Sequence, residues 1–183
     1  MQSMRPTLWR TCRVIANETR LNLLRALFFC EESTVSMLAG KAGISISFAS
    51  SQLRALGARG LVSARSAGRW VFYTAAPNLA VEHAAVIGNA IRVSCAIDAE
   101  NRGLIEAATA FTHPRRIVIA RCLAEGEKTA SELMISTHIS TMALYRHLVK
   151  LTARRMVEQE NNRYRLARPE NVLGQTLLAI AKK

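Results

Sequence analysis

Apolar residues return along much of this chain at every third or fourth position, the period of helices that bury one face. The spacing predicts amphipathic helices over 8–16 and 18–28, the second with Leu21, Leu24 and Leu27 on one stripe. A short helix capped by Thr34 follows over 35–41, then a tight turn at Gly43 and a fourth helix capped by Ser45. In that fourth helix Ala49, Leu53 and Leu56 recur at i, i+4 and i+7. The runs Leu61-Val62-Ser63-Ala64-Arg65 and Arg69-Trp70-Val71-Phe72-Tyr73-Thr74 are β-prone and joined by Ser66-Ala67-Gly68, which predicts a hairpin wing over 61–74. Pro77 then introduces a last helix over 79–96.

The same order returns at an offset of about 95 residues. Arg20 and Arg25 stand over Arg116 and Arg121, and Thr34-Val35-Ser36-Met37-Leu38 over Thr129-Ala130-Ser131-Glu132-Leu133. Leu53, Leu56, Arg59 and Val62 stand over Leu148, Leu151, Arg154 and Val157, and Gly68-Arg69-Trp70 over Asn162-Arg163-Tyr164. The second copy therefore reads as helices over 102–111, from Pro114 onward, and over 130–136, the last with a capping box from Thr129 to Glu132. His138 takes the turn occupied by Gly43, a less comfortable residue for positive φ. Ser140 is expected to cap a fourth helix that buries Leu144, Leu148 and Leu151, followed by a wing over 155–166 and a last helix over 172–182. A short helix, a tight turn, a second helix and a hairpin make a winged helix-turn-helix. The expected fold is mainly α with small β wings, in two tandem winged-helix domains at 1–97 and 98–183.

Charge narrows the partners. Half of the 183 residues are hydrophobic, enough for a buried core, while Lys plus Arg number 25 against 13 acids, a formal charge of +12. Twenty of the 25 cations are Arg, whose planar fork suits phosphate and guanine. Nucleic acid is the expected partner. No stretch approaches the roughly 18–20 apolar residues that span a bilayer, and 1–6 lacks a signal-peptide pattern, so a soluble cytoplasmic protein is expected. Cys12, Cys30, Cys95 and Cys122 are far apart and read as reduced, mostly buried thiols. Neither a P-loop, a dinucleotide fingerprint nor a G-x-S-x-G elbow occurs, so no enzyme activity, catalytic residue or cofactor is expected.

In order, 16–27, Thr34-Val35-Ser36-Met37-Leu38-Ala39, Ile44-Ser45-Ile46-Ser47 and Gly60-Leu61-Val62 with Gly68-Arg69-Trp70-Val71-Phe72-Tyr73 resemble the ArsR-type winged-helix transcriptional regulators. Copy one matches along nearly its whole length and copy two more loosely. The resemblance implies DNA binding by paired protomers that meet through their first and last helices, with one recognition helix per half-site. Here it implies both protomers fused in one chain, a monomeric pseudo-dimer, with association of two chains left open. It also implies repression by promoter occupancy, with no effector indicated. Many members of that family sense metals through cysteines of the third helix or His and carboxylates of the last. Helices 35–41 and 130–136 hold neither Cys nor His, and the neighbours Glu82 and His83 point apart on a helix, so no metal site is expected.

Base readout is then expected from the exposed faces of the two fourth helices: Ser47, Ser50, Ser51, Gln52 and Arg54, and Thr141, Tyr145, Arg146, His147 and Lys150. Ile46, Phe48 and Met142 are placed to meet thymine methyls, and Arg65, Arg69 and Arg163 on the wings to hold phosphates. His83, His113 and His138 read as capping, turn or surface residues. A rival reading is a tandem winged-helix protein-interaction scaffold, favoured by the apolar Ile46 and Phe48 on the first reading face.

Overall fold

The computed structural model describes residues 7–97 and 100–183. The opening segment 1–6, read above for a leader, and positions 98–99 beside the expected domain boundary lie outside the described residues. The first run of elements is α1 (Leu8–Ile15), α2 (Glu18–Phe28), β1 (Ser33–Thr34), α3 (Val35–Ala42), α4 (Ile46–Gly57), β2 (Ser63–Ala67), β3 (Trp70–Thr74) and α5 (Ala84–Ala96). The second is α6 (Asn101–Ala110), α7 (Pro114–Ala124), β4 (Lys128–Thr129), α8 (Ala130–Thr137), α9 (Thr141–Ala153), β5 (Val157–Glu160), β6 (Arg163–Leu166) and α10 (Val172–Ala181). The molecule is mainly helical with two small antiparallel sheets, ordered β1-β3-β2 and β4-β6-β5. Each run contains a helix-turn-helix followed by a hairpin, the winged-helix arrangement.

Local chemistry sets most of the boundaries. Asn17 Oδ1 accepts the amide of Arg20 at the start of α2, and Pro114 occupies the first turn of α7. At Thr129 both bonds of a capping box form: its hydroxyl accepts the Glu132 amide at 3.2 Å, and Glu132 Oε2 accepts the Thr129 amide at 2.6 Å. The turn after α3 uses Gly43 at φ +63, and its counterpart after α8 is His138 at φ +52. The left-handed backbone is thus retained where a side chain makes it more costly, by about 1 kcal/mol. The first wing turns tightly at Gly68-Arg69, with Ala67 opposite Trp70. The second turns at Asn161-Asn162, both at positive φ, as a two-residue I′ turn demands.

Four expectations need correction. The helix expected over 79–96 begins only at Ala84. Asn78 holds 78–81 in a turn by accepting the Ala80 amide on its side chain and the Val81 amide on its carbonyl, and His83 at φ +66 cannot be helical. The wings expected over 61–74 and 155–166 are shorter, because Leu61, Val62 and Met156 serve as core anchors before the strands begin. Arg69 lies in the turn rather than in a strand. Ser140 stands at the N-cap of α9 without accepting a capping bond, whereas Ser45 accepts the Phe48 amide at 3.3 Å.

One continuous buried cluster draws on both runs, including Ile15, Leu24, Leu56 and Ile91 from the first and Phe111, Leu144, Leu151 and Leu177 from the second. Corresponding helices face each other across it, α1 against α6 and α5 against α10. Polar bonds tie the same junction: Arg13 Nε donates to the Thr112 carbonyl at 3.1 Å, and Asn101 Nδ2 donates to Glu18 Oε1 and Asn22 Oδ1 at 2.6 Å each. A close approach fixes the segment leading into α5. A Cβ on Gly60, which sits at φ +67, would lie 2.7 Å from Val81 Cβ. Gly60→Ala is therefore expected to cost about 2–4 kcal/mol, from left-handed strain plus overpacking. The measurement is a lowered urea midpoint at unchanged slope; an unchanged midpoint would contradict this close packing.

Candidate nucleic-acid interface

Helix α4 presents Ser47, Ser51 and Arg54 to solvent. Ser50 is half-buried and accepts a bond from Arg54 Nη1 at 3.1 Å, so these two side chains are preorganised together. Gln52 is a correction. It lies one turn from the core positions Ala49 and Leu56, is buried, and its Oε1 accepts from Arg20 Nη1 at 2.8 Å. Its carbonyl oxygen is engaged by Arg20 and its side chain is withdrawn from the exposed face. Ile46 and Phe48 do stand exposed at the start of α4, at 58% and 46%.

Helix α9 carries a different surface. Thr141, Met142, Tyr145, Arg146, Val149 and Lys150 are all exposed. No carboxylate pairs with Arg146 or Lys150 among the described residues. His147 is only half-buried but turns from this face toward the start of α7, where its ring lies 4.6 Å from that of His113 at a 40° tilt. His113 is the N-cap of α7, and its Nδ1 accepts the Arg115 amide at 3.1 Å. That bond leaves the neutral ring's proton on Nε2. The sequence reading left His113 as a capping, turn or surface residue, and it missed the ring partner of His113 and missed Arg115. Together His113, Arg115, Arg146, His147 and Lys150 border a cavity of about 530 Å³.

Electrostatics there are lopsided. His147 is pushed down to about 4, first by burial and then by His113, Arg116, Arg115 and Lys150. His113 is lowered by burial and by Arg116, Arg115, Arg13 and Lys150. Burial first, and then the surrounding cations, hold both imidazoles below the ordinary histidine value. The unfolded chain, with a His value of 6.5, takes up protons that the folded protein refuses. Stability is thus fully present above pH 6.5 and declines as pH falls toward about 4. His147→Gln is expected to flatten this acid limb in denaturation curves taken across that window. An unaltered limb would assign the acid sensitivity to other groups.

The wing arginines divide. Arg69 sits at the tip of the first wing, 5.1 Å from the Trp70 ring centroid, without a carboxylate partner among the described residues. Arg65 instead donates Nε to Glu32 Oε2 at 2.8 Å and lies over Phe72. Arg163 is 3.1 Å from Glu127 Oε1, 3.6 Å from Glu132 Oε2, and donates to the Glu127 carbonyl. Arg65 and Arg163 are thus engaged by carboxylates, whereas Arg69 has none among the described residues.

Cys12, Cys95 and Cys122 are buried and Cys30 half-buried, all as free thiols. Burial raises the Cys12 and Cys95 thiols, which keeps them protonated and unreactive. Among the described residues no group of three or more His, Cys, Asp or Glu gathers in metal-binding fashion, and no helix is long and apolar enough to cross a membrane.

Compared with known proteins, the chain matches no family model and no curated protein. Among solved structures it is similar to reduced HlyU from Vibrio cholerae N16961, at 27% identity and a TM-score of 0.40, over 50% of this chain and 87% of that one.

Proposed function

We propose that this chain is a double-stranded DNA-binding transcription regulator that reads its target with α4 and α9 in successive major grooves. The observation that carries the reading is the exposed face of α9, where Arg146 and Lys150 stand beside Tyr145 without carboxylate partners on the second helix of a helix-turn-helix. Such a surface suits base edges and phosphates together. The chain's charge of +12 supplies long-range attraction to a polyanion.

In this reading 1–97 and 98–183 form an internal pseudo-dimer, supported by the pairing of α1 with α6 and α5 with α10. Because α4 offers Ser47, Ser51 and Arg54 where α9 offers Thr141, Tyr145, Arg146 and Lys150, the target is an imperfect palindrome. Repression by occupancy follows from the resemblance to ArsR-type regulators. Selection of bound duplexes from a random pool tests this reading. Enrichment of one motif with two unlike half-sites supports it, and a pool that remains random contradicts it.

The scaffold reading keeps one specific observation. Ile46 and Phe48 on α4 are exposed, as are Trp70 and Val71 on the nearby strand β3. A surface used for protein contacts would leave duplex affinity negligible even at low salt.

A further inference from the structure

The cavity between the start of α7 and the middle of α9 has a composition its counterpart in the first run lacks. At the matching positions the first run has Asn17 for His113, Thr19 for Arg115, Ser51 for Arg146, Gln52 for His147 and Ala55 for Lys150. There Arg20 Nη1 donates to Gln52 Oε1 at 2.8 Å, tying the second helix to the fourth. In the second run Arg116 donates Nη2 to Thr112 Oγ1 at 2.6 Å, and His147 lines an open cavity with Arg115 and Lys150.

We propose that this cavity binds a sugar-phosphate ester, with Arg115 and Lys150 taking the phosphate oxygens and the imidazole pair His113–His147 gaining a proton as the anion enters. Arg115, Arg146 and Lys150 converge there without a carboxylate partner among the described residues, a surplus that an anion relieves. Tyr145 and Val149 complete the lining with apolar surface, and about 530 Å³ exceeds what a bare phosphate fills. A sugar carried on the phosphate uses that wall.

Around the two rings, helix α1 contributes Arg13, α7 contributes Arg115 and Arg116, and α9 contributes Lys150, with Arg146 on the cavity rim. The segment after α6 contributes the uncharged Thr112. Every charge among those acting on the rings is positive, so a bound anion offsets part of that field and favours the protonated rings.

The ligand chemistry has two sources, a backbone phosphodiester of nucleic acid or a free nucleotide. The first rests on the function proposed above; the second does not. The experiment is an NMR pH titration of the His113 and His147 ring signals in the full chain. It is run alone, with sodium chloride, with thymidine monophosphate and with a duplex, the last three at matched ionic strength. The expected result is a rise of about one pH unit or more in the pair's apparent pKa with the nucleotide or the duplex, and little change with chloride. Arg115→Gln combined with Lys150→Gln is expected to abolish that rise while the ring signals stay dispersed as in a folded chain.

A rise with nucleotide, in a chain that binds no duplex, upholds this site and contradicts the DNA reading. Duplex binding that leaves both rings unmoved, with no response to nucleotide, does the reverse. An equal rise with chloride overturns the site, because screening alone then explains it.

Discussion

With Arg146 and Lys150 both replaced by alanine, affinity for duplex DNA at low salt is expected to fall about 100-fold, since each removes a charge-assisted contact. The salt dependence should change as well. A protein that neutralises several phosphates releases their counterions, so the unaltered chain is expected to lose about 1000-fold in affinity between roughly 50 and 200 mM salt. Removing two phosphate contacts lowers the slope of that dependence by about 2. Arg65→Ala should change it far less, because Glu32 already holds that guanidinium. Fluorescence anisotropy across a salt series reads all three quantities. Equal losses for Arg65→Ala and for the α9 pair would show that general charge, rather than the α9 face, governs binding.

Ile91→Ala is expected to destabilise the whole chain by about 3 kcal/mol, and not the first run alone. Ile91 is fully buried on α5, the helix that packs against α10. Truncation removes apolar contacts and leaves a cavity that the surrounding core fills only in part. The buried cluster runs without a break from α1 to α10, so both runs share the loss. Amide exchange of α4 and α9 gives the measurement: protection is expected to drop by similar factors in both helices. A drop confined to α4 would mean that the runs are stabilised independently.

Much of this fold is written locally. Apolar spacing and caps placed α2 at its observed bounds, and Pro114 and the Thr129–Glu132 box marked the starts of α7 and α8. Strands β1 and β4 escaped because a two-residue strand shows no alternation, and only pairing to β3 and β6 defines them. The late start of α5 escaped because the apolar pattern of 79–83 is served by a turn, with Val81 packed against Gly60. The exposed faces of α4 and α9 were legible where exposure follows from helical position, as for Ser51, Arg54, Tyr145, Arg146 and Lys150. Legibility ended where distant partners decide. Arg20 claims Gln52, Glu32 claims Arg65, Glu127 claims Arg163, and the His113–His147 contact joins two helices. Each is a tertiary contact between residues far apart in sequence.

One chain is expected to present two reading helices to one duplex. This is tested most directly by sedimentation of the chain with a selected duplex, combined with hydroxyl-radical footprinting of the same complex. The expected result is one chain per duplex, with two protected half-sites about 10–10.5 base pairs apart that differ in base contacts. Two chains per duplex, or protection of a single half-site, would contradict it.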